Sequence, residues 1–100
     1  MKARRVLYHP EARADLDRIL DWLAGSASPL AAIGIIEDLE GFIGRLDLAA
    51  ERGTRRDDLR PNLRILGHGN ATIAVAVDER TVYILRIFYG GQDWEAAMKV

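Results

Sequence analysis

The sequence predicts one α+β domain over residues 1–100: an N-terminal strand, an antiparallel helical hairpin, then a three-stranded antiparallel meander that forms one sheet, with a short C-terminal tail. Three observations predict it. Two stretches in the first half carry apolar residues at helical spacing behind proline starts. Three stretches in the second half are short, rich in β-branched and aromatic residues, and separated by glycine-bearing or charged turns. Apolar residues make up 49% of a 100-residue chain, enough for one core and too little chain for two.

Ala3 to Tyr8 reads as the first strand, with Val6 and Tyr8 alternating against Arg5 and Leu7. Pro10 suits the first position of a helix, His9 sits in its capping slot, and the helix is expected to run to about Ala24, with Gly25 as its stop. Its apolar stripe is Ala12, Leu16, Ile19, Leu20 and Leu23, and Asp15, Asp17, Arg18 and Asp21 lie off it. Ser28-Pro29 restarts the chain as N-cap and first helical residue of a second helix reaching about Leu48. Gly34 and Gly41 inside that helix are expected to allow close approach of the first one.

Glu51 to Asn62 is polar and arginine-rich and reads as a loop. Leu63 to Leu66 begins a strand, Gly67-His68-Gly69-Asn70 turns it, and Ala71 to Val77, apolar on both faces, is expected to be central. After Asp78-Glu79-Arg80 comes the last strand, Thr81 to Tyr89. Strict alternation puts Tyr83, Leu85, Ile87 and Tyr89 on one face and Val82, Ile84, Arg86 and Phe88 on the other. Gln92 to Val100 is a tail with room for a turn of helix. The helices are expected to cover one sheet face and leave the other partly open.

There is no cysteine, which removes disulfides and thiolate chemistry. A cytoplasmic location is the expectation, because no signal-peptide apolar region follows the basic start and no apolar run approaches the length of a membrane span. The net charge of -1 hides an asymmetry. Residues 11–51 are rich in acids, whereas Arg52, Arg55, Arg56, Arg60 and Arg64 crowd the join to the second half.

No complete catalytic set emerges. The carboxylates are expected on outward helical faces or in turns, away from the shared pocket that paired-acid hydrolysis needs. His9 and His68, the only histidines, read as a cap and a solvated turn residue, so neither a metal site nor a cofactor is expected. Ser28 is explained by capping, and Gly67-His68-Gly69 by a hairpin turn. Arg86, mid-strand among apolar neighbours, is the exception. Either its head reaches solvent or a helix carboxylate, or it binds an anion on the open face near Arg60 and Arg64.

Pro10-Glu11-Ala12-Arg13-Ala14-Asp15-Leu16, Ser28-Pro29 with the long helix behind it, Leu59-Arg60-Pro61-Asn62-Leu63-Arg64 and Ile84-Leu85-Arg86-Ile87-Phe88-Tyr89-Gly90-Gly91-Gln92-Asp93 carry a family likeness in their order and spacing. The chain resembles the ParE toxins of bacterial type II toxin–antitoxin pairs, within the RelE/ParE superfamily. It departs at Tyr89, where the family usually has His, at Gly91-Gln92 in place of Ala-Arg, and at Ile73 to Val77, which lacks the usual Tyr-Arg pair. RelE-type members cleave mRNA on the ribosome and need proton-transfer groups. Arginine is a poor base, and the tail from Trp94 offers only Glu95 and Lys99.

The resemblance therefore implies a non-enzymatic toxin that binds DNA gyrase, meets DNA only through gyrase or the antitoxin, and is neutralised by a ParD-like antitoxin. Antitoxin contacts are expected at Arg60, Arg64, Tyr83, Leu85, Arg86 and Trp94, and target contacts at Arg55, Arg56 and Tyr89. A ribosome-dependent endoribonuclease, and a degenerate member that only binds its antitoxin, are the alternatives.

Overall fold

The computed structural model describes residues 3–99. Met1 and Lys2 of the basic start and Val100 of the tail lie outside the described residues. In chain order the elements are β1 (Arg5–Tyr8), α1 (Pro10–Ser26), α2 (Pro29–Gly44), α3 (Leu46–Ala49), a 3-10 turn (Ala50–Arg52), β2 (Thr54–Arg55), β3 (Leu63–His68), β4 (Ala71–Val77), β5 (Thr81–Tyr89) and α4 (Trp94–Met98).

The helix starts follow local chemistry. His9 Nδ1 accepts the Glu11 backbone N–H at 3.1 Å, and Ser28 Oγ accepts that of Ala31 at 3.1 Å, each ahead of a proline with no N–H to satisfy. The ends differ from expectation. Gly25 lies inside α1, which closes one residue later at Ser26. The second helix breaks at Arg45 and resumes as the short α3.

The glycines of α2 do not serve a close helix approach. A Cβ at Gly34 would meet nothing within 4 Å, and at Gly41 only an arginine of the same helix end, Arg45, at 3.6 Å. The stripe that faces α1 and the sheet is Ala32, Ile36, Leu39 and Ile43 instead.

The sheet has five strands in the order β1-β5-β4-β3-β2: the first strand joins the β3-β4-β5 meander, and the sheet is mixed rather than purely antiparallel. β1 pairs in parallel with β5, and the polar stretch read as a loop contributes β2 to the far edge. β4 is central, as its two apolar faces require.

One irregularity reorganises β5. Ala74 pairs with Arg86 but Val75 pairs with Ile84, so β5 carries Leu85 as an extra residue. The bulge reverses the alternation. Val82 and Ile84 face the helices before it, and Ile87 and Tyr89 face them after it. Leu85 and Phe88 face the other way.

The larger core lies between the hairpin and the sheet, around Leu16, Ile19, Leu39, Ile43, Ile73, Val75, Val82 and Ile84. The opposite face is partly covered. Met98 of α4 and Leu59 of the β2–β3 loop close a second cluster over Leu63, Ala74 and Phe88. That cover ends before the β1 side, where Leu7 and Tyr83 remain 37% and 41% exposed.

Candidate functional site

β1 stops at Tyr8, opposite Ile84, because Pro10 turns the chain into α1. β5 runs on to Tyr89 with no strand beside its outer edge. An unpaired edge needs partners for its backbone N–H groups. Side chains supply them. Asp15 Oδ2 accepts the Ile87 N–H at 2.8 Å, and Gln92 Oε1 accepts that of Tyr89 at 2.9 Å.

The Asp15 carboxylate also receives Arg86, from Nε to Oδ2 at 2.8 Å and from a terminal nitrogen to Oδ1 at 3.1 Å, and it pairs with Arg18. Asp15 is only 3% exposed, which corrects its expected place on an outward helical face. A buried carboxylate must be paired and hydrogen-bonded, and four donors meet this one. The hydrogen bonds that Arg86 donates to Asp15 raise its pKa against the effect of burial, with the charges of Asp15 and Glu11 adding to it. Arg86 is therefore a permanent cation whose head reaches a helix carboxylate.

The expected contacts divide between two faces. Tyr83 projects opposite the helices, between Leu7 of β1 and Ala76 of β4 in the ladder. Leu85 and Trp94 pack against the second cluster on that same face. Arg60 lies beside Leu85 and Arg86 and donates from Nε to the Met98 carbonyl at 2.9 Å, which ties down the end of α4. Arg56 sits over the Trp94 ring, 5.4 Å from its centroid, and bridges to Asp58 and Glu95.

Arg64 is on the other side. It pairs with Val75, which faces the helices, and donates to the carbonyls of Glu51 and Gly53 at 3.1 and 3.2 Å. Tyr89 also faces the helices, 6.1 Å from Trp22 between ring centroids, in a cleft of about 320 Å³ with Ile19 and Ile87. Arg55 pairs with Asp57 at 2.9 Å. The hydrogen bonds donated by Arg55 and Arg56 hold the carboxyls of Asp57 and Asp58 below the usual range. Within the basic join Arg55 and Arg56 are thus paired with its own acids, whereas Arg60 and Arg64 donate to backbone carbonyls.

Two histidines matter more than their isolated positions suggest. His68 lies in β3, not in the turn; it stacks on Phe42 at 4.3 Å between centroids and meets Asp38 at 2.7 Å. His9, besides capping α1, lines a small polar pocket of about 100 Å³ with Glu11, Arg60, Leu85, Arg86 and Ala97. No spacing in the sequence signals this set, because 25 residues separate Arg60 from Leu85 and about 50 separate it from His9. Among the described residues no group of three or more His, Asp or Glu is placed to hold a metal ion, and no helix is long and apolar enough to cross a membrane.

A family model described as the ParE toxin of type II toxin-antitoxin system, parDE, matches residues 6–94. The chain belongs to the ParE toxin family. No curated protein matches it. Among solved structures it is similar to the "Chromosomal ParDE TA system from P. aeruginosa", with 24% identity and a TM-score of 0.74, over 88% of this chain and 97% of that one. That likeness bears on the fold. The match between a 100-residue α+β chain and nearly the whole length of the relative agrees with the mixed sheet and hairpin described above.

Proposed function

We propose that this ParE-family toxin acts by binding a target, with DNA gyrase as that target, and that a ParD-like antitoxin neutralises it by covering the sheet face opposite the hairpin. One observation carries the antitoxin half. Leu7 and Tyr83 are adjacent across the β1–β5 ladder and exposed, and their face continues past Ala76 to Leu85 and Trp94 with Arg56, Arg60 and Arg86 around it. An apolar shelf with arginines at its margin suits an amphipathic segment with acidic residues. The solved relative is named as a ParDE system, which supports a partner of this kind. Gyrase as the target rests on the family resemblance.

A second reading has one observation in its favour. His9 and Glu11 stand beside Arg60 and Arg86 in one pocket, so titratable groups adjoin two guanidiniums, the combination an RNA-cleaving site uses. The two readings separate in paired assays on the purified toxin. Loss of gyrase supercoiling with accumulation of cleaved DNA, and intact mRNA on translating ribosomes, is the expected result. Cut mRNA with unimpaired gyrase would reverse the assignment.

The antitoxin face has its own test. Tyr83→Glu is expected to weaken antitoxin binding by about tenfold or more, as loss of an aromatic anchor does, whereas Arg64→Ala, on the helix side, should change it little. The opposite order would move the interface to the helix side.

A further inference from the structure

The small pocket lined by His9, Arg60 and Arg86 has a charge balance that restricts what can enter it. Arg86 is engaged by Asp15 and lies 3.7 Å from Glu11. Arg60 lines the same pocket, and among the described residues it makes no ion pair. Its Nε is occupied by the Met98 carbonyl, which leaves its two terminal nitrogens as a donor pair. His9 Nδ1 accepts the Glu11 N–H, so that hydrogen bond assigns the ring proton to Nε2, a further donor.

Among the described residues the pocket therefore offers several N–H donors around one positive charge that no acid pairs with. A carboxylate matches both the planar donor pair of a guanidinium and the single charge. A phosphate dianion would bring a second negative charge beside Glu11 and Asp15 with no cation to meet it. The volume of about 100 Å³ fits a carboxylate head on a short stem and excludes a nucleotide.

We infer that this pocket is a carboxylate-binding site, and that an Asp or Glu side chain of the antitoxin fills it. The assignment rests on the antitoxin reading above and adds to it the chemical anchor. The carboxylate would sit where Leu85, extruded by the β5 bulge, and Ala97 of α4 form the apolar wall. It would join the exposed shelf at Tyr83 to the C-terminal helix, whose end Arg60 already holds.

The test titrates the full chain with sodium acetate, and separately with inorganic phosphate, at constant ionic strength, following the arginine Nε and histidine ring resonances by NMR. Saturable shifts at Arg60 and His9 with acetate are expected, lost in Arg60→Gln. Glu11→Gln removes the exposed carboxylate that lines the pocket and should tighten acetate by roughly two- to fivefold, a gain that misfolding does not mimic. Shifts that rise without saturating, tighter phosphate than acetate, or no gain in Glu11→Gln would overturn the site.

The second arm measures antitoxin affinity. Arg60→Gln should weaken it by about tenfold, with Arg60→Lys recovering part of the loss. Acetate saturation at Arg60 with unchanged antitoxin affinity in Arg60→Gln would overturn the assignment of the carboxylate to the antitoxin. A wild-type toxin that binds no antitoxin would sink the antitoxin reading and that assignment together, and the acetate titration would still decide the pocket.

Discussion

The two faces of the sheet are closed in different ways. On one, α1 and α2 lay continuous apolar stripes over Ile73, Val75, Val82 and Ile84, and Ile43 and Ala32 are wholly buried. On the other, a five-residue helix and a loop cover Leu63, Ala74 and Phe88, and the cover is pinned by Met98 and by arginines. The first face is secured by area. The second depends on a few contacts, and part of it is left bare at Leu7 and Tyr83. Isolated helices this short do not hold themselves, so α4 is helical because Met98 docks and Asp93 caps it. The contrast suggests a division of labour: the hairpin side holds the fold, and the thinly covered side is available to a partner.

Asp15 joins the two sides, so its loss is the largest expected effect. Asp15→Ala leaves Arg86 without its main carboxylate and the Ile87 N–H without an acceptor, and should cost about 3–5 kcal/mol in urea unfolding. Asp15→Asn keeps an acceptor and should cost less. If both substitutions cost under about 1 kcal/mol, the edge of β5 is held by β4 alone.

The next pair compares the cores directly. Ile43→Ala, under the hairpin, should cost about 4 kcal/mol, and Met98→Ala about 2, because a short terminal helix can relax or undock where a packed hairpin cannot. Amide exchange should show α4 opening in Met98→Ala with β4 unchanged. Equal costs, or global loss of protection in Met98→Ala, would mean the second core is as integral as the first.

The smallest effect carries the opposite sign. Gly34 is exposed with open space at its Cβ direction, so Gly34→Ala should raise stability by about 0.5–1 kcal/mol in the same unfolding measurement. A loss would show that the outer face of α2 is more tightly packed than the hairpin geometry implies.

Much of the architecture was legible along the chain. His9-Pro10 and Ser28-Pro29 start both helices, Ala71–Val77 is the central strand, and Thr81–Tyr89 has the expected limits. Capping and periodicity involve residues within a turn or two of each other, so sequence order is enough to reveal them. The elements that were missed are small or composite. β2 is two residues in a polar stretch, and the parallel β1–β5 pairing joins segments at opposite ends of the chain. The site was only partly legible. Arg60, Leu85, Arg86 and Tyr83 were identifiable as candidates, but His9 and Glu11, which share a pocket with Arg60, Leu85 and Arg86, were not, and Arg64 belongs to the helix side.

The sequence by itself determined the helix starts, the central strand and the ParE-family character of the chain, because each rests on residue types in a local order. The tertiary structure alone decided which way β5 faces and which carboxylate Arg86 meets. The Leu85 bulge exists only in register with β4, and Asp15 becomes a buried acceptor only where α1 crosses the unpaired edge of a strand 72 residues further along. Helical spacing sets Asp15, three residues after Ala12 and four before Ile19, at the border of the buried stripe and the exposed Asp17 well away from it, but residue type alone would not bury a carboxylate there. The distinction comes from the backbone N–H of Ile87, which has no strand beside it and must find an acceptor.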